Sequence, residues 1–160
     1  MNSAEETATE WLYHTMRVHM RAQRDNIQPS RPKDWINLCW DVGNSLTMMH
    51  IHGIAITPVI ENVSAKLRLE FLGAKGLMPS DIQKMRVFYL NYFERKNLLP
   101  KIQLVNWECH IFILDHCRDP LQQEYYLDFC AQENCDLAGL ESAFKAQRFE
   151  LNALPDFISQ

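Results

Sequence analysis

The stretch Val59–Tyr89, VIENVSAKLRLEFLGAKGLMPSDIQKMRVFY, decides the fold that this sequence predicts. Apolar residues recur at helical spacing in its first third, which indicates an amphipathic helix. Gly73 and Gly76 then mark the end of that helix, and Pro79 and Ser80 open a second helix. Because the second helix is basic and the first packs behind it, the stretch predicts a helix-turn-helix-like pair.

The composition extends this prediction to the whole chain. Of the 160 residues, 47% are hydrophobic and 22% are charged, which is typical of a soluble globular domain. Only five glycines occur, and their scarcity favours helices over a turn-rich β-sandwich. We therefore expect one mainly α-helical domain over residues 1–160, a bundle of about six or seven helices. Residues 101–106, KIQLVN, form either a short strand or an extended linker, so one short β-hairpin stays open.

Helix starts and stops divide the rest of the chain. A first helix runs from Ser3 to about Arg24, followed by a two-proline loop, so that residues 1–31 form an N-terminal helix and loop. Gly43 lies inside the core stripe of the second helix and is expected to admit another helix at close range. Asp119 and Asp136 cap the last two long helices. Residues 150–160 form a C-terminal tail.

Charge is distributed unevenly along the chain, although the net charge is only −4. Residues 17–101 carry thirteen Lys and Arg against seven Asp and Glu, a net of +6. Residues 102–160 carry three against ten, a net of −7. Either acidic helices cover the back of the fold, or a basic half binds an anion while the acidic half faces away or toward a protein.

Two faces could bind nucleic acid. On the first helix, His14 and three arginines at helical spacing form a basic ridge, which is either a solvated face or a phosphate-contacting edge. On the helix after Pro79, Gln and Asn can bond adenine edges, while Lys and Arg can bond guanine or phosphate. The candidate DNA-binding residues are Arg17, Arg21, Arg24, Lys75, Gln83, Lys84, Arg86 and Asn91.

The sequence predicts no catalytic residue, metal or cofactor. The five cysteines are expected to be reduced thiols in or near the core. A zinc site built from adjacent pairs, Cys109-His110 and His116-Cys117, is rejected because neighbours on a helix point about 100° apart. Glu94-Arg95-Lys96 has the look of a nuclease motif, but it follows a predicted helix rather than lying on a strand. We therefore expect a non-enzyme.

Location follows from what the sequence lacks. The acidic N-terminus has no apolar signal region. No apolar run approaches the roughly 18 residues of a membrane span. The chain is expected to be cytoplasmic, with no membrane partner.

Several ordered segments resemble one family, the YhcG type. The likeness covers about residues 35–144, and its strongest piece is Met85-Arg86-Val87-Phe88-Tyr89. The other matching pieces are Trp40-Asp41-Val42-Gly43, the helix from Val59 to Phe71, Lys75-Gly76-Leu77, Val105-Asn106-Trp107, Asp119 with Glu124-Tyr125-Tyr126-Leu127, and Leu140. Cys109 stands where the family tends to have histidine, and Cys135 where tryptophan is common.

The resemblance implies a winged-helix-like N-terminal domain that is presumed to bind DNA. Full-length members add a C-terminal PD-(D/E)XK nuclease domain, and this chain is expected to end before such a domain begins. A non-catalytic module that binds double-stranded DNA is therefore the first hypothesis. The alternative is a protein-interaction module that pairs with or inhibits a separate nuclease or defence protein, which the acidic half and the apolar residues Leu69 and Val87 favour. A homodimer stays open.

Overall fold

A computed structural model describes residues 1–25 and 32–152 of the chain. Residues 26–31 of the predicted loop Asp25–Pro32 and residues 153–160 of the predicted tail lie outside the described residues, whereas Asp25 and Pro32 are helical. Contacts divide the chain into two compact units, Met1–Glu94 and Arg95–Gln160. The mainly helical fold is confirmed, whereas the expectation of a single domain stays a prediction.

The first unit consists of four α-helices. They are α1 (Ser3–Asp25), α2 (Pro32–Ile51), α3 (Ile56–Glu70) and α4 (Pro79–Tyr92). The most extensive packing is between α2 and α4, and the next is between α1 and α3. The predicted pair α3 and α4 is present and in contact, but each helix packs mainly against another partner. That the pair acts as a helix-turn-helix stays a prediction.

Gly43 sets the close approach of α2 to α4. A Cβ atom at this position would fall 2.3 Å from the carbonyl oxygen of Met85 and 2.5 Å from the Cβ of Tyr89. Trp40, one turn earlier, packs edge-on against the rings of Phe88 and Tyr89. The predicted role of this glycine is confirmed, because any larger residue would push α4 away.

The second unit is built from shorter elements. They are a 3-10 helix (Lys96–Leu98), α5 (Leu99–Ile102), α6 (Trp107–His116), α7 (Pro120–Glu133) and α8 (Leu137–Lys145). Residues 148–152 are also helical, so the predicted tail begins inside a helix. Asp119 and Asp136 cap α7 and α8 through their side chains, as predicted.

The helix count and the strand prediction need correction. Besides the helical residues 148–152, the described part of the chain contains nine helical elements rather than six or seven, and it contains no strand. Residues 101–106 belong to the end of α5 and a turn. Leu98, Ile102 and Val105 are all buried, and their spacing of four and three residues is helical rather than alternating. A β-hairpin therefore does not form here.

Two helix starts differ from the sequence pattern. Helix α3 begins two residues before Pro58, with Ala55 as its N-cap. Proline fits anywhere in the first turn, where backbone N–H groups lack helical acceptors, so it does not mark the first residue. Helix α4 begins at Pro79, and the Asp81 carboxylate accepts a hydrogen bond from the Met78 N–H at 3.0 Å. Met78 is therefore the N-cap residue, and Pro79 and Ser80 are the first two residues of the helix.

Candidate nucleic-acid interface

Helix α4 presents one exposed stripe and buries the opposite side. Ile82, Met85, Phe88 and Tyr92 are buried in the first unit. The exposed stripe consists of Ser80, Gln83, Val87 and Leu90, and Glu94 extends it just beyond the end of the helix. These positions follow one another at intervals of three and four residues, so they share a face.

Polar and basic side chains flank the exposed stripe of α4. Lys84 and Asn91 lie on one side and are half-buried. Arg86 lies on the other side, and its Nε atom is buried without a hydrogen-bond partner. The predicted DNA-binding residues of α4 thus surround a stripe whose centre, Val87 and Leu90, is apolar.

The connection between α3 and α4 is held at one end. The buried Ser64 hydroxyl donates a hydrogen bond to the Leu77 carbonyl at 2.6 Å. Gly73 and Gly76 both have a φ near +80°, a conformation that glycine adopts without strain. Lys75 lies between them and is exposed. The loop covers residues 71–78, which is longer than the three- to four-residue turn of a strict helix-turn-helix.

The basic ridge of α1 is held by a carboxylate of α3. Glu70 accepts hydrogen bonds from the Nε atoms of Arg17 at 2.7 Å and Arg21 at 2.8 Å. The Tyr13 hydroxyl also donates to Glu70, at 2.7 Å. The guanidinium of Arg24 lies 5.2 Å from the ring centre of Phe71. Charge-assisted bonds of this kind fix two of the ridge arginines against α3.

These contacts shift the pKa values of the groups involved. The hydrogen bond from Tyr13, followed by those from Arg17 and Arg21, lowers the pKa of Glu70 to about 2. The same bond to Glu70 raises the pKa of Tyr13 above its usual value. Glu70 is therefore ionised across the physiological pH range. Its negative charge neutralises part of the positive charge of the ridge on α1.

The charge asymmetry of the sequence does not coincide with the compact units. The first unit, residues 1–94, carries ten Lys and Arg and ten Asp and Glu. The second unit, residues 95–160, carries six against ten. Neither unit has a net positive charge, so an anion partner would have to bind a local basic surface rather than a generally basic unit.

The histidines near the rejected zinc site are bonded elsewhere. His110 is fully buried, and its Nε2 donates to the Ile102 carbonyl at 2.8 Å. Burial lowers the pKa of His110 to about 4. His116 Nδ1 is bonded to the Phe112 carbonyl at 2.9 Å. Both imidazole rings are therefore hydrogen-bonded to backbone carbonyl groups.

All five cysteines are free thiols, as predicted, and four of them are buried. Burial raises the pKa of Cys39, and it raises the pKa of Cys117 to about 11. Three of the five lie together, which was not predicted: the sulfurs of Cys109, Cys130 and Cys135 are within 4.8 Å of one another. The Cys130-x4-Cys135 spacing was the one available signal, because it matches a metal-ligand pair.

Glu70 was also missed as an organising residue, and nothing in the local sequence indicates it. Its arginine partners lie 53 and 49 residues away, on a helix whose direction relative to α3 the sequence does not give.

The described residues form an all-helical protein in which α4 presents an exposed stripe with an apolar centre and polar or basic flanks. A family model described as the DUF1016 N-terminal domain matches residues 15–151, and the chain belongs to this family. The YhcG N-terminal domain is this same family, so the resemblance is confirmed. Comparison with curated proteins and with solved structures finds no match. Within the described residues, no helix is long and apolar enough to cross a membrane.

Proposed function

We propose that this protein is a non-catalytic recognition module that binds double-stranded DNA through the exposed face of α4. The observation that supports it is the exposed Gln83, with Lys84 and Arg86 on opposite sides of it. Residues in the first half of a recognition helix read base edges, while flanking cations contact phosphates on either side of the groove. Asn91 lies about two turns further along the same helix.

Lys75 adds a cation just before α4. It is exposed in the loop that the Ser64–Leu77 hydrogen bond holds, so it can reach a phosphate beside the helix start. The proposal gives a smaller role in DNA binding to the ridge arginines Arg17, Arg21 and Arg24. Because Glu70 already binds the first two, we expect their contribution to be smaller than that of Lys84 and Arg86.

The test is binding of the purified chain to a fluorescent DNA duplex, followed by anisotropy at increasing salt. A phosphate-based interface weakens with a log–log slope of about −0.9 for each phosphate neutralised. We expect the double variant Lys84→Glu/Arg86→Glu to lose most of the affinity and to flatten this slope by about two phosphates.

A matched control carries the same change in net charge. Lys33→Glu/Lys145→Glu alters two exposed lysines, one on α2 and one on α8. It is expected to retain most of the affinity. Equal losses in both double variants, or no binding of the unaltered chain at low salt, would contradict the proposal.

Exposed apolar residues favour a second candidate, a protein-interaction module for a nuclease subunit. Leu69 is 77% exposed and Leu72 is 83% exposed at the end of α3, and Val87 is 45% exposed at the centre of the α4 face. Large exposed apolar residues favour a protein partner, and the balanced charge of the first unit does not oppose it. Pairing with a nuclease, or blocking one, would use these residues.

Substitutions distinguish the two candidate functions. In co-purification with a nuclease subunit expressed beside it, Val87→Asp and Leu69→Asp are expected to abolish the complex if the second candidate holds. Val18→Asp changes a residue on α1 whose exposure of 54% lies between those of Val87 and Leu69; it is the control and is expected to leave the complex intact. Two results together would favour the protein partner. They are unchanged DNA affinity in Lys84→Glu/Arg86→Glu and loss of the protein complex in Val87→Asp.

A further inference from the structure

The second compact unit contains a cluster of three thiols. The sulfur atoms of Cys109, Cys130 and Cys135 lie within 4.8 Å of one another, and this is the one group of three metal-ligating side chains found within the described residues. Cys109 and Cys130 are buried, whereas Cys135 is partly exposed. The cluster therefore has a closed side and a side open to solvent.

Local backbone geometry brings Cys130 and Cys135 together. Helix α7 ends at Glu133, and its C-cap residue Asn134 has a φ of 49° and a ψ of 45°, in the left-handed region. This reversal lets the Cys135 N–H donate to the Cys130 carbonyl at 3.4 Å. Asparagine tolerates this conformation better than most residues, so the turn is encoded in the sequence. Both sulfurs consequently face the same region.

Cys109 reaches the cluster from the start of α6. Its N–H donates to the Asn106 side chain at 2.9 Å, which places Cys109 in the first turn of that helix. Helix α6 packs against α7, and the Cys109 sulfur lies 3.9 Å from the Cys135 carbonyl. The first turn of a helix stabilises negative charge, so a thiolate is favoured at this position.

The arrangement is close to the ligand geometry of a soft divalent cation. Zinc–sulfur bonds of about 2.3 Å in a tetrahedron place the sulfurs about 3.8 Å apart. Three sulfurs at most 4.8 Å apart reach that spacing if each moves inward by at most about 0.6 Å. A rotamer adjustment supplies a movement of this size without altering the helices.

We propose that Cys109, Cys130 and Cys135 bind one thiophilic divalent cation of the Zn²⁺ class as thiolates, with a solvent molecule as fourth ligand on the open side of Cys135. Binding releases the three thiol protons to solvent and changes no oxidation state. The ion would join α6, the end of α7 and the start of α8, so it would stabilise the second unit independently of any DNA or protein partner.

The test uses the full chain, reduced and freed of metal by a chelator, and titrated with Co²⁺ or Cd²⁺. We expect one ion per chain, with thiolate-to-metal charge-transfer absorption, and a higher melting temperature in the presence of Zn²⁺. Cys109→Ser and Cys135→Ser are each expected to weaken Co²⁺ binding at least tenfold. Because Cys135 is partly exposed, its variant is the one expected to fold normally, which circular dichroism checks.

Two other buried thiols supply controls. Cys39 lies in the first unit and Cys117 in the second. The variants Cys39→Ser and Cys117→Ser are both expected to show the same charge-transfer absorption as the unaltered chain. Three results would overturn the proposal: no charge-transfer band in the reduced chain, an unchanged band in Cys135→Ser, or an equal loss in Cys117→Ser. A disulfide between two of the three cysteines in the chain as isolated, with no metal uptake after reduction, would assign the cluster to thiol redox chemistry instead.

Discussion

Glu70 accepts a hydrogen bond from Arg17 across 53 residues of sequence, and this bond joins the end of α3 to the middle of α1. Arg21 and Tyr13 bind the same carboxylate from the next turns of α1. A ridge that looks like a free cationic surface in the sequence is therefore partly a packing device. Its arginines position two helices, and only what remains of their charge faces solvent.

Replacing Glu70 should destabilise the first unit. In Glu70→Gln the amide keeps the shape of the side chain but loses the charge that two arginines share, so we expect a lower melting temperature. Glu61→Gln removes an exposed carboxylate from the same helix and is expected to leave the melting temperature unchanged. Thermal denaturation followed by circular dichroism compares the two. A melting temperature of Glu70→Gln equal to that of Glu61→Gln would show that the contact contributes nothing.

The same substitution separates the two roles of the ridge. With Glu70 neutral, Arg17 and Arg21 regain charge toward solvent, so DNA affinity at low salt should rise if the ridge approaches phosphates. The anisotropy measurement on Glu70→Gln checks this against Glu61→Gln, which has the same net charge. Equal affinity in both variants would confine any DNA contact to α4.

The Glu70 contacts also predict a pH dependence. Its pKa is about 2 in the folded chain and 4.5 as the ordinary value, so the folded state favours the ionised form. The resulting stability is fully present above pH 4.5 and is lost as the pH falls toward 2. Glu70→Gln should show a smaller loss across this window in acid titrations of unfolding. In Tyr13→Phe, the carboxyl pKa read by NMR should move upward; an unchanged value would contradict the assigned cause.

Gly43 should tolerate no side chain. A Cβ atom there would overlap the Met85 carbonyl oxygen and Tyr89, both in α4, so Gly43→Ala should cost about 1–3 kcal/mol of unfolding free energy despite the better helix propensity of alanine. Asn44→Ala, at the exposed neighbouring position of α2, serves as control and is expected to be neutral or stabilising. Urea denaturation measures both. A stabilised Gly43→Ala variant would mean that α2 and α4 are less closely packed.

Ser64 should be important for the loop before α4. Ser64→Ala removes the hydrogen bond to the Leu77 carbonyl in a buried place, which we expect to cost about 1–3 kcal/mol. Ser45→Ala removes a hydroxyl that bonds only the preceding turn of its own helix and is expected to cost little. Urea denaturation, with hydrogen exchange at residues 71–78, checks the pair. If exchange in the loop is the same in both variants, the bond does not hold the loop.

The resemblance and the local patterns predicted much of the fold. The mainly helical class and the caps at Asp119 and Asp136 are confirmed because each depends on residues within a turn or two of one another. The family and the close approach at Gly43 are also confirmed, although the neighbours of Gly43 lie on another helix. The wrong strand prediction also arises from the short range of these patterns. Residues 101–106 were ambiguous in isolation, and burial of Leu98, Ile102 and Val105 decided for a helix and turn.

By itself the sequence determined where helices form and which side of each is apolar, because helix propensity, capping and periodicity act over a few residues. It could not determine which helices pack together or which charges meet. The tertiary structure alone placed Glu70 against Arg17 and Arg21, and Cys109 beside Cys130 and Cys135. Contacts between residues 21 to 53 positions apart, such as Cys109 with Cys130 and Glu70 with Arg17, depend on helix directions and on close approaches such as that at Gly43. They arise only when the whole core is packed.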